Sequence, residues 1–325
     1  MNKQITIAAL SDELKQVRTR KKEFLEQIDR LVPWDAWAAL VEPYYPKGLN
    51  GNKPYPLERM LRIHVFQNLY DLSDMGTKDG LSDSRAVAEF CGIDSPNQVP
   101  DGDTIGRFRN LLVKHGLQER IFGQVVEMLA QKGLILKKGT IVDSTLIAAP
   151  SSTKNRDKSR DPDAHSTKKG NQWHFGYKAH IGADEDSGIV HHVEVTAANE
   201  SDVAQTPKLL HGKEKKVRGD AGFVGAEKRE DALTHNDSGE KIKYVINRRP
   251  SSYKNRKPQS KGQIRRRERE KSSVRAKVEH VFAVVKKQLK FRKTRYRGLR
   301  KQTSKLNMMF ALANLILADR PCLAA

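Results

Sequence analysis

Apolar residues in the first third of the chain recur every three or four positions, the spacing that places them on one face of a helix. The first of these positions are Leu10, Leu14, Val17, Phe24, Leu25, Ile28 and Leu31. Pro33 ends this series, and a Pro- and Gly-rich segment runs from Pro43 to Pro56. A new apolar series then predicts a helix that Pro56 starts. We therefore expect an all-helical domain over residues 1–118.

Several short helices should complete this domain, because Ser73, Ser82 and Asp103 stand where N-caps are expected. The helix after Asp103 carries Arg107 and Arg109. A short helix, a turn and a second helix with basic residues near its start resemble a helix-turn-helix that reads the major groove. A plain helical bundle used for dimerisation explains the same pattern equally well.

The pattern changes after Gly133 to short apolar runs separated by polar turns. In chain order it first predicts a strand in "LKKGTIVDSTLIAAP", a polar loop over 151–169 that is too hydrophilic to pack, and a long hairpin in "QWHFGYKAHIGADEDSGIVHHVEVTAAN". A helix near 203–210, a strand in "KKVRGDAGF", a helix near 226–233 and a strand at "IKYVIN" should follow. A basic loop over 248–271 and a final helical region complete the prediction. This layout is typical of a mixed α/β domain, which we assign to residues 119–325.

Charge is concentrated in one part of this second domain. The chain carries a net charge of +21, and residues 248–305 contain 23 Lys and Arg against three acidic residues. A local excess of +20 is typical of a surface that binds a phosphate backbone, and Arg265, Arg266 and Arg267 are its densest run. A disordered, solubilising tail is the alternative, but apolar residues at helical spacing in the second half of the segment favour a folded structure.

Cysteine content and hydropathy narrow the class of protein further. Cys91 and Cys322 cannot form a disulfide framework or a four-thiolate zinc site, and we expect both to be reduced. The most apolar stretch, Phe310 to Ala318, is far shorter than the ~20 residues that span a bilayer. With no signal-peptide pattern at the start, the sequence predicts a soluble, cytoplasmic protein.

Three acidic residues are candidates for chemistry because of where they lie. Asp143 interrupts an apolar strand, Asp220 stands between two glycines after a strand, and Glu279 lies on a basic helix. Each alone is more often part of a turn or a salt bridge. Together they suggest a carboxylate cluster that holds two divalent cations, Mg²⁺ or in its place Mn²⁺, for phosphoryl transfer. Without metal the three carboxylates would repel one another, and one would take up a proton.

Charged and apolar residues fall on separate faces of the helix predicted around Glu279. At about 100° per residue, Ser272, Arg275, Glu279 and Lys286 form one stripe about 60° wide, beside an apolar face. Such a helix would pack on a core and present charged groups to a cleft. An ordinary amphipathic helix with an internal Arg/Glu pair predicts the same stripe.

These motifs together resemble a known family. Asp143 in "TIVDSTLIAAPSSTKN", the segment "KKGNQWHFGYKAHIG", Asp220 in "GDAGF", and Arg275, Glu279 and Lys286 in "SSVRAKVEHVFAVVKKQ" are similar to the DDE transposases of bacterial insertion sequences, specifically the insertion-sequence-five family. "KGLNGNKPYPLERMLRIHVFQNLYDLSD" and "PDGDTIGRFR" in the N-terminal half also match. The family signature has Tyr, Arg, Glu and Lys at this spacing, and Ser272 stands at the Tyr position.

The resemblance implies an RNase H-like catalytic domain with Asp143 on its first strand, Asp220 after its fourth and Glu279 on a later helix. It implies an enzyme that binds the terminal inverted repeats of its element, frees 3′-hydroxyls by hydrolysis and joins them to target DNA. Arg275 and Lys286 would contact phosphates of the transposon end.

The partners implied are double-stranded DNA and a second copy of the chain in the synaptic complex, with no membrane and no small-molecule substrate. The expected location is the bacterial cytoplasm, associated with the nucleoid. Two alternatives stay open: an RNase H-like nuclease that cuts without joining, and a helix-turn-helix regulator whose α/β half is inert.

Other residues have ordinary structural interpretations. His191 and His192 are adjacent in a predicted strand and should point to opposite faces, so they cannot chelate one metal ion together. Ser144 has no paired histidine that would make it a nucleophile. The aromatic group in the hairpin could stack on an unpaired base, but core packing is favoured; its members are Trp173, His174, Phe175 and Tyr177.

Overall fold

The computed structural model describes residues 18–48, 53–255 and 258–319. Its first part is helical, as predicted. The helices are α1 (Arg20–Leu31), α2 (Trp34–Val41), α3 (Leu57–Leu69), α4 (Asp74–Asp83), α5 (Arg85–Phe90), α6 (Gly102–Lys114) and α7 (Leu117–Gln131). Helix α3 begins directly after Pro56, which confirms that prediction. The apolar series at 10–17 and Cys322 lie outside the described residues.

One of the three predicted N-caps is confirmed. Ser73 caps α4 by accepting a hydrogen bond from Gly76 N–H, whereas Ser82 lies inside that helix. Asp103 is the second residue of α6, and the cap is Asp101, whose carboxylate accepts from Thr104 N–H at 2.6 Å. Asp101 has the extended backbone that lets a side chain fold back onto the first turn, and Asp103 is already helical.

The second part is built on a six-stranded mixed sheet. Its strands are β1 (Gly139–Ala148), β2 (His165–Lys169), β3 (Gln172–Asp184), β4 (Val190–Ala197), β5 (Lys216–Gly219) and β6 (Lys243–Ile246). Strand β1 runs antiparallel to β3 and parallel to β5, and β6 continues the parallel side. Strands β2 and β4 both pair with β3 in antiparallel fashion. The helices are α8 (Asp202–Gln205), α9 (Pro258–Ala283), which ends in a π-helical turn (Val284–Gln288), and α10 (Leu299–Ala318).

Three predictions about connections were wrong, namely the polar loop, the helix near 226–233 and the basic loop. The polar loop over 151–169 ends in strand β2, and it packs through Asp161, which is buried and accepts a hydrogen bond from the Tyr177 hydroxyl at 2.6 Å. The helix predicted near 226–233 is only a 3₁₀ turn, Ala226–Lys228.

Most of the basic loop predicted over 248–271 belongs to helix α9. Arg and Lys are good helix formers, and the buried Glu268 anchors this part of the helix to the chain that follows β6.

The two parts share one hydrophobic core. Helix α10 follows the sheet in sequence but packs against α7 of the helical part and against β4. Asn314 of α10 fixes this contact, because its side chain bonds both the N–H and the carbonyl of Val190. The domain boundary predicted after residue 118 falls inside α7. Among the described helices, none is long and apolar enough to cross a bilayer.

Candidate functional site

Two of the predicted acidic residues lie near each other at the end of the parallel strands. Strand β1 pairs with β5 so that Ile141 lies opposite Arg218. Continuing this register by two residues brings Asp143 level with Asp220. Neighbouring strands are about 4.8 Å apart, and residues in register point to the same face. The parallel pairing therefore brings together two carboxylates that are far apart in the sequence.

Asp143 is held in a buried position. The residue is 8% exposed, and its carboxylate accepts hydrogen bonds from Ser144 N–H at 2.8 Å and Arg275 Nη1 at 2.9 Å. Burial raises the pKa of Asp143 to about 6, and the nearby Asp220 raises it further, while the two donors oppose the shift. The loss of hydration therefore outweighs the ion pair, and the site favours a proton or another cation at this carboxylate.

Asp220 is positioned by the glycines around it. Its carboxylate caps the turn Ala221–Phe223 by accepting from Gly222 N–H at 2.7 Å. A Cβ on Gly222 would lie 2.9 Å from Asp220 Oδ1, and a Cβ on Gly219 would lie 3.1 Å from the side chain of Phe223. The sequence "GDAGF" thus lets the carboxylate fold back onto the turn.

Arg275 connects the third acidic residue to the first. From helix α9 its guanidinium contacts Asp143 at 2.9 Å and Glu279 at 3.5 Å. The Glu279 side chain is 64% exposed, so it lies at the rim of the site. Within residues 18–48, 53–255 and 258–319, no three acidic, His or Cys side chains are close enough to share a metal ion.

Lys286, the last member of the predicted stripe, lies in the π-helical turn that follows α9. Its Nζ donates to the carbonyl of Leu146 at 3.0 Å, so it reaches β1, as Arg275 does. Ser272, at the signature Tyr position, accepts a hydrogen bond from Asn247 Nδ2 at 3.1 Å.

An open groove of about 560 Å³ lies beside Asp220. Four arginines line it, namely Arg248, Arg265, Arg269 and Arg275. Of the predicted run, Arg265 faces this groove, while Arg266 points elsewhere and pairs loosely with Glu270 at 3.4 Å. Arg267 is exposed on the same helix. Arg248 and Arg269 were not among the predicted site residues. Arg265 and Arg269 are four residues apart, a spacing that places them on one face of a helix, but a loop was predicted there.

The two arginines predicted to read bases from α6 have different surroundings. Arg107 is exposed and lines an open groove with Lys53 and Tyr55. Arg109 is paired with Asp74 at 2.8 Å, and its guanidinium stacks 3.9 Å from the centre of the Tyr296 ring. Its side chain is only 12% exposed. Arg109 thus joins the helical part to the segment before α10.

His191 and His192 do not point to opposite faces as predicted. A β-bulge interrupts the pairing of β3 with β4 at Gly182 and Ala183, and the Nδ1 atoms of the two histidines lie 2.7 Å apart. Bulges break the alternation of side chains along a strand, which the sequence pattern could not reveal.

The aromatic group of the hairpin is divided. Tyr177 is fully buried, as predicted, whereas Trp173 is 70% exposed, so core packing was the wrong prediction for that residue. Trp173 lies where β3 extends beyond its pairing with β1 and β4, which begins at Gly176 and Tyr177, so neither strand covers it.

The raised pKa of Asp143 predicts a pH-dependent cost of folding. The folded chain binds this proton more tightly than the unfolded chain, whose carboxyl has the ordinary pKa of 3.8. Ionising Asp143 should therefore destabilise the fold as the pH rises from about 4 through about 6. Without divalent cations, the wild type should become less stable relative to Asp143→Asn by up to about 3 kcal/mol between pH 4 and pH 7. Chemical denaturation of both proteins at each pH measures this change, and a constant difference would contradict it.

Two protein-family models match the chain. The model described as "Transposase DDE domain" matches residues 135–315, more than half of the chain, and includes Asp143, Asp220, Glu279 and Lys286. The model described as "Transposase domain (DUF772)" matches residues 12–111. No solved structure matches the chain.

Proposed function

We propose, from the premise that the chain belongs to the DDE transposases, that Asp143, Asp220 and Glu279 are its catalytic carboxylates. Membership makes it a DNA transposase, an enzyme that cleaves DNA and transfers strands. The observation that carries the assignment is the parallel register of β1 and β5, which brings Asp143 level with Asp220. Arg275 links Asp143 to Glu279 and so supports including the third residue.

We assign the catalytic part to the RNase H-like fold and the chain to the insertion-sequence-five family. A mixed sheet with one acid on β1, a second after the neighbouring parallel strand and a third on a helix that follows supports the fold assignment. Asp220 follows the fifth strand in chain order rather than the fourth, because β2 forms within the segment predicted to be a loop. The family assignment rests on the motifs of the sequence.

The residues present fit two divalent cations, Mg²⁺ or Mn²⁺. All candidate ligands are carboxylate oxygens, which these ions prefer, and the burial of Asp143 beside Asp220 favours an added positive charge. Glu279 is free to join them once it leaves Arg275, since an exposed pair at 3.5 Å contributes only about 0 to 1 kcal/mol. When bound, such ions activate the attacking oxygen and stabilise the leaving oxygen of an in-line displacement.

The protein's own residues hold the DNA phosphate for this reaction. Asp143 and Asp220 fix the position of the site at the strand ends, and Arg275 offers a guanidinium beside them to a phosphate oxygen. In hydrolysis the oxygen of water forms the new bond to phosphorus, and the bond to the 3′-oxygen of the element breaks. In joining, the oxygen of that 3′-hydroxyl forms a bond to a phosphorus of target DNA, and the bond from this phosphorus to the target's 3′-oxygen breaks, which leaves a free 3′-hydroxyl on the target strand. The two steps are the same displacement with different nucleophiles, so one site serves both.

We assign binding of the DNA to two surfaces. The groove beside Asp220, with four arginines, suits the phosphate backbone and so binds without regard to sequence. Recognition of the terminal inverted repeats belongs to the helical part, where Arg107 is exposed on α6. Arg109 has no part in this reader, because it is engaged by Asp74 and Tyr296. Two copies of the chain would hold the two ends of the element in the synaptic complex.

The two surfaces predict opposite effects of substitution. Replacing Arg265, Arg266 and Arg267 by Gln should weaken binding about equally for inverted-repeat and random DNA and should flatten the salt dependence by about 0.9 per lost phosphate contact, with the largest share from Arg265. Arg107→Ala should instead cost about 1 to 3 kcal/mol of preference for the inverted repeat. Titrations of the full chain with both DNAs over a range of salt concentrations measure both effects. An unchanged salt slope would argue against the first surface, and an unchanged preference against the second.

The direct test of the proposed function is incubation of the full chain with DNA that carries the ends of its element and Mg²⁺ or Mn²⁺. Cleavage and joining are scored separately. Free 3′-hydroxyls at the ends and joined products are expected. Cleavage without any joined product would favour a nuclease, and activity without added divalent cations would contradict the proposed metal requirement.

A further inference from the structure

A second cavity, of about 270 Å³, opens beside the C-terminal half of β1. Three basic side chains from separate segments converge on it: Lys169 at the end of β2, Lys286 in the π-helical turn, and Arg292 in the segment after that turn. His174 of β3 also lines it, and none of the acidic residues that the structure describes does. Like charges brought together without a counter-charge repel one another, so this arrangement favours an anion.

Hydrogen bonds to backbone carbonyls hold two of these basic side chains, Lys286 and Arg292. Its Nζ is held by the carbonyl of Leu146, and Arg292 Nε reaches the carbonyl of Lys286 at 3.5 Å. Burial lowers the pKa of Lys286, and the charge of Lys169 lowers it further, with no acidic group acting in the other direction. Within the described part of the chain, neither these two lysines nor Arg292 has an acidic partner within 4.0 Å.

The register of the β2–β3 hairpin decides which of its residues face the cavity. Thr167 pairs with His174 and Lys169 with Gln172, so Lys169 and His174 lie on one face. Lys168 pairs with Trp173 on the opposite face. Lys168 and Lys169 are therefore neighbours of the same charge, and only Lys169 lines the cavity.

The cavity is close to the catalytic carboxylates along β1. Leu146 lies three residues after Asp143, roughly 10 Å at a rise of about 3.3 Å per residue. A DNA strand rises about 3.4 Å per nucleotide along the helix axis. The basic side chains can therefore reach phosphates within about three nucleotides of a phosphate bound at Asp143.

We infer that Lys169 and Arg292, together with Lys286, form a binding subsite for a backbone phosphate of the DNA next to the point of cleavage. The subsite rests on the proposed function, and it adds two residues that hold the end of the element in position over Asp143 and Asp220. Its ligand is a phosphate diester of the bound strand, so it contributes to affinity and position and not to sequence preference.

Salt titrations of Lys169→Gln and Arg292→Gln test the subsite, with Lys168→Gln as the matched control. The full-length variants are titrated with a duplex that ends in the inverted repeat of the element, without divalent cations so that no cleavage occurs. Each of the first two variants should lower the magnitude of the salt slope by about 0.9, and the control should leave it unchanged. Slopes like the wild type for both would overturn the subsite. An equal loss in all three would also overturn it, since it would indicate a diffuse field rather than a pocket.

Uncharged methylphosphonates, introduced one at a time near the duplex end, identify the phosphate. In the wild type, a methylphosphonate at a position within about three nucleotides of the expected cut should lower the affinity for the duplex. The same methylphosphonate should lower the affinity of Lys169→Gln and Arg292→Gln only slightly. If the methylphosphonate lowers the affinity of the two variants as much as that of the wild type, Lys169 and Arg292 do not contact this phosphate. These readouts measure binding alone, so they are independent of the cleavage and joining assays in which the proposed function would fail.

Discussion

Replacing Asp143 with Asn, Asp220 with Asn or Glu279 with Gln should each abolish DNA cleavage while binding to end DNA is retained. Each change removes a carboxylate from the proposed metal site, where bound cations would stabilise the transition state by several kcal/mol, so a loss of roughly 10³-fold or more is expected. Binding should persist, because removing negative charge does not weaken attraction to phosphate. Single-turnover cleavage and a binding titration with the same duplex measure the two effects.

Two conservative substitutions at similar residues outside the site serve as controls. Glu270→Gln alters an exposed acid on the same helix as Glu279, and Asp231→Asn alters an exposed acid between β5 and β6. Neither should reduce cleavage. If one of the three site variants still cleaves at the wild-type rate, that residue does not belong to the catalytic set.

Breaking the buried ion pair between Lys305 and Asp71 should produce the largest loss of stability. Both residues are 5% exposed, and the pair joins α10 to the end of α3, that is, the two parts of the molecule. Lys305→Met keeps the volume but leaves the Asp71 carboxylate buried without its lysine. Among the described residues, Arg295 at 3.3 Å then remains as its ion-pair partner. A decrease of about 3 kcal/mol in the free energy of unfolding is expected, measured by urea denaturation.

The exposed Lys301 provides the matched control for this pair. Lys301→Met lies one turn earlier on α10 and should change stability by less than about 0.5 kcal/mol. Combining Lys305→Met with Asp71→Asn should recover part of the lost stability. Asn removes the buried charge that has lost its lysine, and it tolerates the positive φ of 50° at this position. An undiminished loss in the double variant would mean that packing, and not the buried charge, causes the effect.

The contacts of Arg109 and Lys305 bear on how the protein works as a whole. Arg109, Asp74 and Tyr296 form a second link between the helical part and the segment before α10. The same segment carries Arg292, which lines the basic cavity beside β1. The part proposed to recognise sequence and the part proposed to cleave are therefore joined by polar contacts that are largely buried, which keeps one at a fixed distance from the other.

Local sequence determined much of this protein. Apolar spacing of three and four indicated the helices of the first part, and short β-branched runs indicated β1, the β3–β4 hairpin, β5 and β6. The acid inside an apolar strand and the acid between two glycines stood out because a carboxylate there is costly or needs special backbone geometry. Such signals are local, since they depend on neighbours along the chain. For the same reason they marked Asp143 and Asp220 without showing that the two lie together.

Only the tertiary structure decided what those residues meet. The parallel pairing of β1 with β5 brings Asp143 and Asp220 together across 77 positions, and Arg275 reaches both Asp143 and Glu279 from α9. Charge composition predicted a basic loop, but the buried contacts of Glu268 hold the segment as a helix with one arginine-lined face. Arg107 and Arg109 are indistinguishable by composition, yet one is exposed and the other is enclosed by Asp74 and Tyr296. Burial and pairing between distant segments set these differences, and no pattern within a short window of sequence contains them.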